Sequence, residues 1–274
     1  MRKNTASPVL IAFLSCLLLA GCVNVKPTFI KEHAAESIIE LCRKEYTIDV
    51  KSWLGGETVW IYMPLPRIFG KDLLIDKTQL EKVNKVMIAS SRVMLSMNPR
   101  PQFMVIVASD TQEYGLDYTF ITCIADILKL QNQFISRDEF LRRNVIQLDN
   151  NHRALGDTEG SHINKKELSL EFFVCEQISQ RVQQHFTNEP QTKDKFKVEK
   201  ILSRFNGDIL KVSYNIRLKA GQSSAVDVLK DVKKTIAYVV SAYELKNLFA
   251  VKIENLKTKE EFLVSRVELR ELLK

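Results

Sequence analysis

The chain has 274 residues, 45% of them hydrophobic, with 9 Gly, 7 Pro and a formal net charge of +7. Packed globular domains have this composition and a disordered stalk does not. The positive balance is mild, and without a basic motif it gives no case for nucleic acid as a partner.

Met1-Arg2-Lys3 is a short cationic start, and the apolar run from Pro8 to Ala20 ends in Leu19-Ala20-Gly21-Cys22. A run that short falls below the roughly 20 residues that span a bilayer, so it reads as a signal-peptide core. Its ending resembles the lipobox of bacterial lipoproteins. The resemblance implies a signal peptide over residues 1–21, cleavage after Gly21, lipid on the sulfur of Cys22 and acylation of the new amino group. Each CH₂ buried in the bilayer contributes about 0.8 kcal/mol, so several chains on one residue anchor lastingly. By the same resemblance, Val23 in place of Asp after the anchor implies the outer membrane where the source has two membranes. The removed segment holds two cations and no acid, which lowers the net charge from +7 to +5. A residual positive charge suits anionic lipid head groups.

Residues 22–32 form a tether. Ten extended residues reach at most about 35 Å, which keeps the next domain near its membrane. An N-terminal α+β domain is expected over 33–187. Cys42, Cys123 and Cys175 each sit among apolar neighbours and are predicted to be free core thiols, small hydrophobes in effect. The spacing predicts a helix over Ala34–Tyr46 with Ile38, Leu41 and Cys42 inward. Strands Thr47–Leu54 and Glu57–Met63 follow, joined by Gly55-Gly56, a two-residue loop suited to primed turns. That register puts Ser52 opposite Val59 and Val50 opposite Ile61 on a core face. The other face carries Trp53, Trp60 and Tyr62. A packed helix is expected to cover it; in the alternative reading these three rings bind a partner.

Thr78-Gln-Leu-Glu81 has the capping-box pattern and opens a long helix with Leu80, Val83, Met87 and Met94 inward. Asn98-Pro99-Arg-Pro101 stops it. Phe103 to Ala108 is an unbroken apolar run, as in a central strand covered on both faces. A turn over Ser109–Gly115 leads to an amphipathic segment through Leu130, then a helix at Ser136–Arg143 and a strand at Val145–Leu148.

The order of elements over residues 57–148, with Asp110 and Gly115 after the apolar strand, resembles the OmpA-like peptidoglycan-binding domain found on peptidoglycan-associated lipoproteins. The resemblance implies that Asp110 contacts a charged end of the peptidoglycan stem peptide. The family's later Asn and Arg are missing, since the chain reads Thr-Phe-Ile-Thr-Cys-Ile-Ala after Tyr118.

The loop from Asp149 to Asn164 holds His152, Asp157 and His162, ligand types that zinc accepts, and a metal-dependent hydrolase is the reading that would use them. Their spacing matches no helical ligand pair, and polar Asn/Asp/Gly loops are common without a ligand. A solvated connector is the expectation. A helix follows at Leu168–Phe186, and the polar Thr187–Asp194, containing Pro190, is the linker to a C-terminal ββαββ domain over 195–274. There Phe205-Asn206-Gly207 joins two strands so that Phe196 faces Ile216 and Leu202 faces Leu210. A helix runs from Ser224 to Tyr243, two strands follow, and Ser265-Arg-Val-Glu268 caps a last short helix.

The helix–strand–strand unit recurs at 34–63, 168–218 and 224–264 without residue identity, in a layout similar to POTRA and BON domains of bacterial envelopes. No nucleophile elbow, phosphate loop or dinucleotide fingerprint occurs, so no cofactor is implied. Carboxylate pairs such as Asp138-Glu139 look like solvated faces. The sequence therefore points to an α+β, lipid-anchored, periplasm-facing interaction or envelope-assembly module with a protein partner, not to an enzyme.

Overall fold

The computed structural model of the chain describes residues 29–70 and 75–274; residues 1–28, with the signal peptide, Cys22 and most of the tether, lie outside them, as does Leu73-Leu74. The fold is α+β. Helix α1 (Ala34–Tyr46) has the predicted bounds and ends where Thr47 turns left-handed and donates its N–H to Arg43 O. Strands β1 (Lys51–Gly55) and β2 (Thr58–Leu65), helix α2 (Lys77–Leu95) and strands β3 (Phe103–Asp110) and β4 (Leu116–Cys123) come next. Helices α3 (Ile124–Gln131) and α4 (Arg137–Arg143) and strand β5 (Val145–Asn150) complete the first unit. The second unit holds α5 (Leu170–Asn188), β6 (Phe196–Asn206), β7 (Ile209–Leu218), α6 (Val228–Ala242), β8 (Ala250–Asn255), β9 (Glu261–Ser265) and α7 (Arg266–Glu271).

The strands form two sheets, each in simple chain order: β1-β2-β3-β4-β5 and β6-β7-β8-β9. In each unit a hairpin, a crossover helix and a second hairpin alternate, so that only β2–β3 and β7–β8 pair in parallel. The repeat is thus α-ββ-α-ββ-α, used twice with α4 and β5 added to the first copy, and it is larger than the three αββ segments visible in the sequence. The missing piece is β4. Residues 116–123 were expected to lie in one amphipathic segment with the residues after them, but they pair with β3 and β5 on both sides. This strand also breaks the OmpA-like order of elements, which requires a helix directly after the Asp110 turn.

The first hairpin keeps its predicted faces but slides by two residues. Gly55 pairs with Thr58, and the turn is Gly56-Glu57. Gly55 is not free to turn, because a Cβ there would lie 2.5 Å from Lys165 O; the glycine is needed for the close passage of a later segment. In the second hairpin Asn206 pairs with Ile209, and Glu199 bulges out between Val198 and Lys200. One bulged residue reverses the in–out alternation. Phe196 and Val198 face the core before it and Ile201 and Phe205 after it, while Leu202, expected inside opposite Leu210, is exposed. In α2 the N-cap is Asp76, which accepts from the N–H groups of Thr78 and Gln79, so the expected Thr78–Glu81 box does not form.

Two cores result. The first lies between α1, α2 and one face of the first sheet, where Ile48, Val50, Val59, Ile61, Met104 and Ile106 are buried with Ile38, Val86 and Val93. The second lies on the other face and runs without a break into the second unit. Here α5 is a shared layer: Phe173 meets Phe103 of β3 at 5.1 Å between ring centroids, and Phe186 meets Phe196 of β6 at 5.3 Å. Val212, Tyr214, Ile253, Ile236 and Val240 close the cluster from the second unit. The outward face of the second sheet is charged, with Lys211–Glu254 and Lys252–Glu261 ion pairs of 2.7 Å each. β3, buried at every position, is the central strand its apolar run predicted.

This continuity moves the domain division. The expected boundary at 187–195 separates β6–β9 from α5, the helix that fills their core. Thr187–Asp194 is no free linker either: Thr192 is buried and its hydroxyl donates to His185 O, fastening the end of α5. Cys42, Cys123 and Cys175 are free and buried, and burial pushes their thiols up to about 11, 11 and 12. They act as packing residues.

Candidate functional site

The aromatic face of the first hairpin is covered from within the chain, by an extended segment where a packed helix was expected, and the alternative reading of Trp53, Trp60 and Tyr62 as a partner surface is corrected. Tyr62 is fully buried and Trp60 is 8% exposed, both inside the second core. Residues 157–168 run across the hairpin as a strap. Trp60 Nε1 donates to Lys166 O at 3.0 Å, Tyr62 OH to Asp157 O, and Leu168 N to Thr58 Oγ1. Lys165 Nζ stands 3.8 Å from the centroid of the Trp53 ring, and Lys51 pairs with Glu159. Gly160 lies so close that a Cβ there would be 2.9 Å from the Tyr62 ring.

Of the candidate metal ligands in the same region, Asp157 and His162 meet each other and His152 stands apart. His152 is exposed in a short 3-10 turn. His162 is packed edge-on against Tyr62 and held between two carboxylates, with Nδ1 2.6 Å from Asp157 and Nε2 3.3 Å from Asp117. Asp117 also accepts from Ser109 Oγ and from Asn151 Nδ2. Among the described residues no group of three or more His, Cys, Asp or Glu side chains could hold a metal ion. The loop 149–164 is a structural tie, and its sequence polarity reflects caps and turns.

Asp157 is the knot of that tie. It accepts from the backbone N–H groups of Glu159, Gly160 and His162 and from Ser161 Oγ, besides the His162 ring. Burial works against ionisation, but these donors, His162 foremost, hold the carboxyl well below the usual range. A carboxyl lowered by folding adds stability that is complete above its unfolded value, about pH 4, and is lost as pH falls through the folded value. The strap should therefore loosen first in acid. Hydrogen exchange should show the amides of Glu159, Gly160 and His162 losing protection below about pH 4 ahead of β3, and Asp157→Asn should reproduce this loss at neutral pH. Equal protection of these amides at both pH values would refute the assignment.

Asp110 is likewise committed to the fold. It is fully buried, and its Oδ1 accepts from the N–H groups of Gln112, Glu113 and Tyr114 while Oδ2 accepts from Ile68 N–H. It orders the β3–β4 turn and offers no oxygen to a stem peptide, which corrects its assignment as a peptidoglycan contact.

The chemistry that sequence reasoning missed lies where the two units meet. Asp126 of α3, whose side chain is 1% exposed, takes Arg143 Nη1 at 2.9 Å and Tyr243 OH at 2.5 Å. Arg143 Nε reaches Glu139 at 2.6 Å, and Glu139 also receives Arg181 Nη2 of α5 at 2.8 Å. Gln177 Nε2 donates to Tyr243 OH. Burial opposes the charge on Glu139, and the two guanidiniums outweigh it, so its carboxyl lies below the ordinary value. Burial beside Asp126 raises the Tyr243 phenol far above its ordinary value, so it remains a donor. Glu139 is therefore no solvated carboxylate. The Glu139–Arg143 spacing of four was a legible helical pair; its third partner, Arg181, lies 42 residues away.

Beside this network a groove of about 480 Å³ opens between α4, α5, α6 and the end of α7. Arg142, Arg181, His185, Lys234, Tyr238 and Leu273 are among its lining residues. His185, read from the sequence as structural, bonds Asp231 at 3.1 Å on the groove wall. None of the described helices is long and apolar enough to cross a membrane. No protein-family model matches the chain, and neither a curated protein nor a solved structure matches it.

Proposed function

We propose that the chain is a lipid-anchored, periplasm-facing lipoprotein whose two α-ββ-α-ββ-α units act as a non-catalytic interaction module of the cell envelope. The observation that carries this reading is the start of the sequence: Met1-Arg2-Lys3, the short apolar run and Leu19-Ala20-Gly21-Cys22. Its chemistry supports the non-catalytic half. Asp110, Asp126, Asp157 and His162 spend their hydrogen-bonding groups on turns, the strap and the joint between units. The partner is a protein of the envelope, and Val23 after the anchor favours the outer membrane.

Replacing Cys22 with Ala should abolish incorporation of labelled palmitate and leave an unprocessed precursor. Unchanged acylation would overturn the anchor. Crosslinking of the acylated chain in cells, read by mass spectrometry, identifies the partner; an acylated chain that crosslinks to no envelope protein would overturn the interaction role.

A further inference from the structure

The groove at the joint has the features of a ligand site that the fold itself does not fill. Its volume of about 480 Å³ lies within the range of about 300–1,000 Å³ typical of small-molecule sites. Its floor exposes apolar surface: Tyr238 is 38% and Leu273 44% exposed, and Leu272 lies beside them. Its charge is unbalanced. Arg142 pairs with Glu189, Arg181 and Arg143 share Glu139, Arg143 and Lys129 share Asp126, and His185 faces Asp231. Lys234, on the rim, has no carboxylate within ion-pair distance among the described residues. Of the Arg and Lys side chains that line the groove, Arg142 and Arg181 have carboxylate partners among the described residues and Lys234 has none. Arg181 Nε, moreover, is buried without a hydrogen-bond partner.

We propose that this groove binds a monocarboxylate attached to an apolar group, with the carboxylate at Lys234 and the apolar part on Tyr238, Leu272 and Leu273. A single negative charge pairs with Lys234, the lining cation that has no carboxylate partner among the described residues. The carboxylate has two sources, the C-terminus of a partner polypeptide or a free small acid. The proposal gives the interaction module its ligand class, and it stands or falls apart from the lipid on Cys22.

The test is calorimetric titration of the full-length chain with N-acetyl-phenylalanine and, separately, with its neutral amide. The carboxylate should bind about tenfold more tightly than the amide, the difference expected for one charged hydrogen bond. Lys234→Gln, at an exposed position that leaves the fold intact, should abolish that preference, while Lys257→Gln on the distant β8–β9 turn should leave it unchanged. Equal binding of acid and amide, a preference insensitive to Lys234, or no saturable binding would overturn the proposal. A third arm uses Ala-Ala-Ala-Ala-Phe with a free C-terminus. Tighter binding than N-acetyl-phenylalanine assigns the site to a polypeptide end, and equal binding assigns it to a small acid. A chain that is acylated on Cys22 yet shows no acid preference fails here and leaves the anchor standing.

Discussion

Arg143→Ala should lower the unfolding free energy by about 3–5 kcal/mol, as breaking a buried ion pair from one side does. The cost comes less from a lost attraction than from what remains. Asp126, 1% exposed, would keep Tyr243 OH as its donor but lose its guanidinium, leaving a buried carboxylate with Lys129 as its nearest cation, at 3.8 Å. Glu139 would keep only Arg181. Lysine at 143 should not rescue the site, because a point charge cannot reach Asp126 and Glu139 together as Nη1 and Nε of one planar group do. Replacing both members, Arg143→Met with Asp126→Leu, should recover much of the loss, since buried pairs exchange for apolar groups at little net cost. Denaturant unfolding with an unchanged m-value reads these differences directly. A single Arg143→Ala variant within about 1 kcal/mol of the parent would mean that water reaches Asp126 and that the joint is not sealed.

The same residues show why most elements are legible in the sequence while the joint between the units is not. Helix α1 and strand β3 were legible because one periodicity, or one unbroken apolar run, decides them. The faces of the first hairpin were legible because alternation survives a slip of two residues, and only the turn moved, since Gly55 serves a contact with Lys165 that lies 110 residues away. β4 was not legible. Leu116–Cys123 runs straight into α3 with no Gly or Pro between them, so its apolar positions fit both periods. The Tyr-Thr-Phe-Ile-Thr stretch carried the strand signal in its β-branched and aromatic residues. The bulge at Glu199 was invisible because nothing local demands it; the core-facing residues on either side do, buried Phe196 before it and half-buried Ile201 and Phe205 after it. Polarity misled twice. The strap 157–168 and the turn after α5 are rich in Asp, Gly, Thr and Lys, yet their polar groups are spent inside the protein. Polar composition shows that a segment must satisfy its hydrogen bonds, and water is one partner among several. Arg143 and Arg181 lie on two helices far apart in sequence, and only tertiary structure sets both on one carboxylate.

Phe173→Ala should cost about 3–5 kcal/mol and, more tellingly, should do so in a single transition. Phe173 is fully buried on α5, with its ring 5.1 Å from Phe103 in the first unit and 5.5 Å from Tyr243 in the second. Truncation opens a void between the units, and each side loses packing it cannot replace from its own helices. Both tryptophans lie in the first hairpin, so their fluorescence follows the first sheet, while far-UV circular dichroism follows the whole chain. If one core joins the units, the two signals must coincide in the parent and shift together in Phe173→Ala. Leu202→Ala, on the outward face of the second sheet and 51% exposed, should stay within about 0.5 kcal/mol as the control. Fluorescence and dichroism transitions that separate in the parent would restore 195–274 as an independent domain. Transitions that coincide in the parent but separate in Phe173→Ala would identify this ring as the contact through which the two sheets fold as one.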